Sequence, residues 1–271
     1  MAVDACIMQK GFFHRKKFTM DDLVHMSHLS FGSFDENFRL IPGQISNHTI
    51  LFDKTFLQRG IEIYIENHEI CLRLNFPTSM DEIQLFYYLI KLYCEFMEQE
   101  EFVKDDEIIG LDEINLQMAY DKRTSADALR ELKDTIVDDT YFTIYGILHP
   151  ISIGKKELDY FETDLDLFGQ YLNSKQQMDA YYAAPRIYDI HGIKTGIYSI
   201  GTDLPTILPV DLGTNEIKNW YVLLQESKCV RYKDFLNHID LSSYYDANHC
   251  LITITKDKMQ NILELCTEVQ L

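Results

Sequence analysis

Ile61-Glu62-Ile63-Tyr64-Ile65-Glu66-Asn67-His68-Glu69-Ile70-Cys71-Leu72-Arg73-Leu74 decides the fold class of this chain. Apolar and polar residues alternate on both sides of Asn67-His68, a pair with turn chemistry. That pattern predicts an antiparallel hairpin with one buried face. Pro77 ends it. Ser79-Met80-Asp81-Glu82 then reads as a capping box, with Glu82 placed to reach back to the Ser79 amide. The helix it opens carries Ile83, Phe86, Tyr87, Ile90, Cys94 and Met97 on one face and Leu85, Leu89, Leu92 and Phe96 on a second. A helix so apolar on most sides belongs at the centre of the fold.

Similar patterns extend outward in both directions. Thr19-Met20-Asp21-Asp22 opens a short helix, and a second long helix or helix pair occupies 111–138. The 141–148 segment reads as a strand, followed by one helix in which Leu158, Phe161, Leu165, Phe168 and Leu172 step by three and four. Segments 180–190 and 193–200 read as paired strands around His191-Gly192. Further strands are expected at 220–224 and 250–255, and Thr255 caps a last helix with Met259, Ile262, Leu263 and Cys266 inward. Hairpins outnumber βαβ crossovers, so the expected fold is α+β, with mostly antiparallel or mixed sheet and about five helices interleaved with hairpins. The expected organisation is a single domain over residues 1–271; any division into two lobes should fall near 138–140.

The composition speaks about association. Forty-three acidic residues oppose 25 basic ones, a net charge of −18, in a chain that is 46% hydrophobic with 17 Tyr and 16 Phe. Such a protein has a large core and an anionic surface, which repels nucleic acid and anionic membranes and attracts basic proteins. The first residues lack the basic-then-apolar order of a secretory signal, and no apolar run approaches a membrane span. Six cysteines, at 6, 71, 94, 229, 250 and 266, form no Cys-x-x-Cys pair. They are expected to be reduced, in a cytoplasmic protein.

No catalytic, cofactor or metal motif survives inspection. His25 and His28 lack a third ligand, and Asp164-Leu165-Asp166 falls on the solvated face of an amphipathic helix. Gly32-Ser33 lacks the second glycine of a hydrolase elbow, and His249 and Cys250, adjacent in a strand, face opposite ways. Glycine-rich phosphate loops are absent from the sequence. Lys10, His14, Arg15, Lys16 and Lys17 form a local basic cluster too small for sustained nucleic-acid binding. The 95–113 segment holds nine carboxylates against Lys104 alone and is expected as an exposed helix end and loop.

Three strings are unusual: the loop-like segment 34–43, Tyr181-Tyr182-Ala183-Ala184-Pro185-Arg186-Ile187-Tyr188, and Tyr244-Tyr245-Asp246-Ala247-Asn248-His249. Together they resemble a bacterial family, found mainly in low-GC Gram-positive organisms, that is catalogued only as a domain of unknown function. The resemblance implies a full-length, cytosolic bacterial domain and brings no catalytic residue, substrate or cofactor with it.

Two functions are consistent with these residues, beside a third, a structural or regulatory subunit of a larger complex. The first is a non-enzymatic binding module for a basic protein, such as an immunity-type or regulatory partner. Its contact residues would be Glu100, Glu101, Asp105 and Asp106, or the Tyr181, Tyr182, Arg186 and Tyr188 surface. The second is an enzyme acting on a small molecule through Arg186, Tyr188, Asp246, Asn248 and His249, which requires the 180–190 and 249–255 strands to be neighbours. No cofactor or metal is expected under either.

Overall fold

The computed structural model describes residues 1–9, 16–35, 39–212, 217–225, 228–265 and 268–269. Lys10, His14 and Arg15 of the basic cluster, residues 36–38 and Cys266 lie outside them. Contacts group the chain into two units, Met1–Gln177 and Met178–Leu271. Residues 138–140 lie inside the first.

The alternating segments of the first unit form one antiparallel sheet. Its strands are β1 (Ala2–Ile7), β2 (Ser30–Phe34), β3 (Leu40–Pro42), β4 (His48–Phe52), β5 (Ile61–Glu66), β6 (Glu69–Asn75), β7 (Glu101–Lys104) and β8 (Glu107–Gly110). They stand in the order β3-β2-β4-β5-β6-β1-β7-β8. The β5–β6 hairpin is as its sequence implies, with Asn67 and His68 both at positive φ, the backbone of a tight primed turn. Val3, Ala5, Ile7, Ile61, Ile63, Ile70, Leu72 and Leu74 are buried on one sheet face. Asp4, Glu62, Tyr64 and Arg73 alternate with them on the other, where Tyr64 donates to Asp4 (3.2 Å) and Arg73 pairs with Asp4 (3.4 Å).

Helix α1 (Met20–Ser27) precedes β2, and α2 (Met80–Met97) joins β6 to β7. Every residue read onto the first face of α2 is buried in the main core, as its periodicity required. Helix α3 (Ile114–Thr135) follows β8 after one 3₁₀ turn, Leu111–Glu113. A small hairpin, β9 (Tyr141–Tyr145) with β10 (Pro150–Gly154), leads to α4 (Lys155–Phe161) and α5 (Leu165–Gln176).

The second unit contains β11 (Tyr181–Tyr182), β12 (Arg186–Ile190), β13 (Ile193–Ser199), β14 (Thr206–Pro209), β15 (Asn219–Gln225), β16 (Lys228–Arg231), β17 (His249–Ile252) and β18 (Glu268–Val269). They build two mixed sheets, β11-β14-β17 and β12-β13-β15-β16-β18. β11–β14 and β13–β15 are the parallel pairs. Helices α6 (Tyr232–Leu236) and α7 (Lys256–Leu265) contribute Phe235, Met259 and Ile262 to the core of this unit. Thr255 caps α7 by accepting from the Lys258 amide (3.2 Å).

The chain is thus α+β and mostly antiparallel, with seven α-helices among the described residues where about five were expected. One extra helix arises because the periodic 158–172 segment is broken. Glu162 adopts a positive φ of 49°, and Asp164 starts a new helix by accepting from the amides of Asp166 and Leu167. Its apolar positions are all buried nonetheless, so the spacing satisfies two helices packed on one core.

Two further expectations are corrected. Ser79 does cap α2, accepting from the Glu82 amide (3.2 Å), but Glu82 does not return the bond. Its carboxylate accepts instead from the amides of Arg59 (2.7 Å) and Gly60 (2.6 Å) and from the Thr78 hydroxyl (2.7 Å). Three donors in the interior compete better for it than one amide at a helix end. The cysteines are not all reduced, since Cys6 and Cys71 form a disulfide. They stand directly opposite on β1 and β6, a register that brings side chains on one face together. That removes the cysteine argument for a cytoplasmic location. Among the described residues, no helix is long and apolar enough to cross a membrane.

Candidate functional site

The acidic 95–113 segment is not a loop. It closes α2 at Glu98, which takes the left-handed conformation, and then forms the β7–β8 hairpin at the margin of the large sheet. Asp105 and Asp106 supply the two turn positions, both at positive φ, a conformation aspartate tolerates better than most residues. Phe102 and Ile109 face each other and are buried, which fixes the register.

Lys104 is the segment's single cation, and it is withdrawn from the surface. Its ammonium is 2.7 Å from Asp121 of α3 and 3.0 Å from Gln117, with lysine and aspartate side chains 3% and 1% exposed. Tyr87 of α2 donates to the other oxygen of Asp121 (2.6 Å). Burial, then the Asp121 carboxylate, pushes the Tyr87 phenol far above its ordinary value. The hairpin is therefore pinned to α2 and α3 by a buried triad, and the carboxylates outside are undiluted by positive charge from within the segment.

These carboxylates divide between two ends. Asp105, Asp106 and Glu107 are exposed at the tip; Glu100, Asp112 and Glu113 are exposed at the base, and Glu101 is half-buried there. The length of β7, roughly 10 Å, separates the groups. Between them, Ile108 is 65% exposed on β8, the outermost strand. Lys104 and Glu107 flank a two-residue turn, so they form a hydrogen-bonded pair; the next pair, Val103 and Ile108, does not. The Ile108 N–H and C=O thus point away from β7.

The Tyr181–Tyr188 string is split between sheets. Tyr181 and Tyr182 form β11, whereas Arg186 and Tyr188 lie exposed on β12, the edge of the five-stranded sheet. The 180–190 and 249–255 segments are not neighbours, because β14 lies between β11 and β17. Asp246, His249 and Tyr182 are nevertheless brought together. Asp246 Oδ1 accepts from the amides of Asn248 (2.9 Å) and His249 (2.8 Å) and lies 2.8 Å from His249 Nδ1.

The Asp246 carboxylate orients Nδ1, and Nε2 lies 3.2 Å from the Tyr182 hydroxyl. Both Asp246 and His249 are buried. Such a relay can orient a phenol and move a proton; Arg186 and Tyr188 belong to the other sheet. Cys250 is unsuited to nucleophilic attack, since burial pushes its thiol up to about 11 and its sulfur lies 3.6 Å from the Leu208 carbonyl. Asn248 serves the backbone, because its side chain exchanges two hydrogen bonds with Asp211 main-chain atoms, each 2.9 Å.

Cys6, Glu69 and Cys71 are the one group of three among the described residues with metal-ligand atoms within 4.8 Å of one another. Their two sulfurs are joined, so they do not form a thiolate site in this state.

A family model described as a domain of unknown function matches residues 2–262. No curated protein and no solved structure matches the chain.

Proposed function

The chain belongs to the domain-of-unknown-function family DUF4299, and we propose that it is a non-enzymatic binding module whose acidic β8 edge pairs with an extended basic segment of a partner protein. The observation that carries this reading is the position of β8 at the sheet margin with carboxylates at both ends. An edge strand offers backbone donors and acceptors to an added strand. Like charge opposes pairing with a second copy, whereas a lysine- or arginine-bearing strand gains attraction and faster encounter. A neutralising complex with a basic toxin is one form of such an interaction.

A peptide of alternating Lys and Val tests it directly. Binding to the intact protein should be tight at low salt and weaken as salt rises. Replacing Glu100 and Glu101 by Gln, and Asp105 and Asp106 by Asn, which also tolerates the positive φ of the turn, should slow association and flatten the salt slope with little change in melting temperature. Ile108→Pro removes the outward N–H without touching the β7–β8 ladder, and should weaken binding with the charges intact. Equal affinity for wild type and Ile108→Pro would mean that the peptide senses charge alone and would sink the strand-pairing reading.

The rival reading, an enzyme acting on a small molecule, draws its support from the Asp246–His249–Tyr182 relay rather than from Arg186 or Tyr188.

A further inference from the structure

The first unit carries most of the charge excess, with 31 acidic against 17 basic residues; the second has 12 against 8. Within the second unit the balance reverses at one place. β15 and β16 pair with Tyr221 opposite Arg231, and α6 begins at the next residue. Lys218, Trp220 and Tyr221 are thereby set beside Arg231, Tyr232 and Lys233 around a cavity of about 680 Å³. Among the described residues, Asp211 is the single carboxylate residue lining it. Lys218, Arg231 and Lys233 are exposed, and none is held in an ion pair among the described residues.

The aromatic part of the wall is rigid. Trp220 stacks on Tyr198, with ring centres 5.6 Å apart and planes at 28°. It lies flat over Gly196, where a Cβ would come within 2.2 Å of the indole. Tyr232 is buried against Tyr198 and donates to the Pro209 carbonyl (2.6 Å). Asn248 clamps the opposite rim, taking the Asp211 amide on its side chain and the Val210 amide (2.6 Å) on its carbonyl.

We propose that this cavity binds a nucleotide-sized anion in which a planar ring carries a phosphate. Its volume is that of a small-molecule site. Three cations without carboxylate partners call for a multiply charged anion, and the arginine fork matches phosphate oxygens. The fixed indole suits a flat ring, since stacking on aromatic side chains favours bases of any identity. A polymer of nucleotides would be repelled by the acidic remainder of the chain; a single nucleotide is not.

Trp220 is the only tryptophan in the sequence, so its emission reports this cavity without labelling. Titration of the intact protein with adenosine monophosphate should give a saturable change in that emission, matched by calorimetry. Adenosine and inorganic phosphate, each lacking half of the recognised chemistry, should bind at least tenfold more weakly. Arg231→Ala with Lys233→Ala should weaken the nucleotide by tenfold or more and leave far-ultraviolet circular dichroism unaltered; Lys218→Ala gives an independent check away from α6. The proposal is overturned by the absence of saturation at millimolar nucleotide, by adenosine binding as tightly as its phosphate, or by undiminished binding in the charge variants.

Discussion

Lys104→Met should destabilise the protein by about 3–5 kcal/mol, the range seen when one partner of a buried ion pair is removed. The Asp121 carboxylate, 1% exposed, would keep the Tyr87 hydroxyl and lose its counter-charge. Water cannot replace the ammonium at so closed a site without opening the contact between β7 and α3. The charge, rather than the loss of contact area, is what costs. Replacing the pair and its tyrosine together, as Lys104→Met, Asp121→Leu and Tyr87→Phe, should therefore recover most of the loss. Urea unfolding followed by circular dichroism decides the matter. A single Lys104→Met variant within 1 kcal/mol of wild type would show that the triad is not what secures the hairpin (roughly the net worth of one ordinary hydrogen bond).

Glu82→Ala should cost about 3 kcal/mol or more, since it strands the amides of Arg59 and Gly60 and the Thr78 hydroxyl in the interior, at roughly 1–3 kcal/mol for each buried group left unmade. Gly60 cannot turn away to find another acceptor. Its φ is +76°, and its backbone lies so near Ile50 and Ile147 that even a Cβ would meet them at 2.6 and 2.8 Å. Glu82→Gln keeps one acceptor for both amides, and Thr78 can rotate to accept from the new NH₂, so this variant should cost less than Glu82→Ala, its remaining loss being the attraction between the carboxylate and the Arg59 guanidinium. Burial holds the Glu82 carboxyl above its ordinary value. The native state accordingly retains a proton that the unfolded chain has released, and stability falls as pH rises from the ordinary carboxyl range through the raised value. Across that window wild type should lose stability relative to Glu82→Gln, then run parallel to it above. Urea midpoints at a series of pH values would show the divergence; parallel curves throughout would mean that Glu82 is ionised without penalty.

Elements whose partners are local were legible in the sequence. The 61–74 hairpin, α2 and the Thr255 cap depend on alternation, helical spacing and a side chain three residues away. Features decided by distant chain were not. Ser79 and Glu82 have capping-box spacing, but Gly60 and Arg59 claim the carboxylate. The density of acid residues made 95–113 look like a solvated loop, although Phe102 and Ile109 already held the spacing of a hairpin across Asp105-Asp106. Cys6 and Cys71 meet because β1 enters the sheet beside β6, which no local spacing announces.

The candidate sites follow the same division. Asp246 and His249 were singled out, yet Tyr182 rather than Arg186 or Tyr188 completes their network, because β11 and β12 enter different sheets. The cationic cavity was missed. Its signal is split into Lys218-Asn219-Trp220-Tyr221 and Arg231-Tyr232-Lys233, two short basic-aromatic strings that acquire meaning once Tyr221 is known to face Arg231.

The location of β1 has a consequence for how the large sheet assembles. Its Cys6 faces Cys71 on one side and Val103 on the other, so both flanks are completed by chain far away in sequence. The β5–β6 and β7–β8 hairpins close over two residues each and form early; the strand between them waits on long loop closures. Until it docks, β6 and β7 present facing rows of unpaired amides and carbonyls, a slot the width of one strand. The same strand of a neighbouring copy fits that slot equally well. Refolding at high concentration is thus inclined toward exchanged dimers, in which each copy lends the other the middle of its sheet.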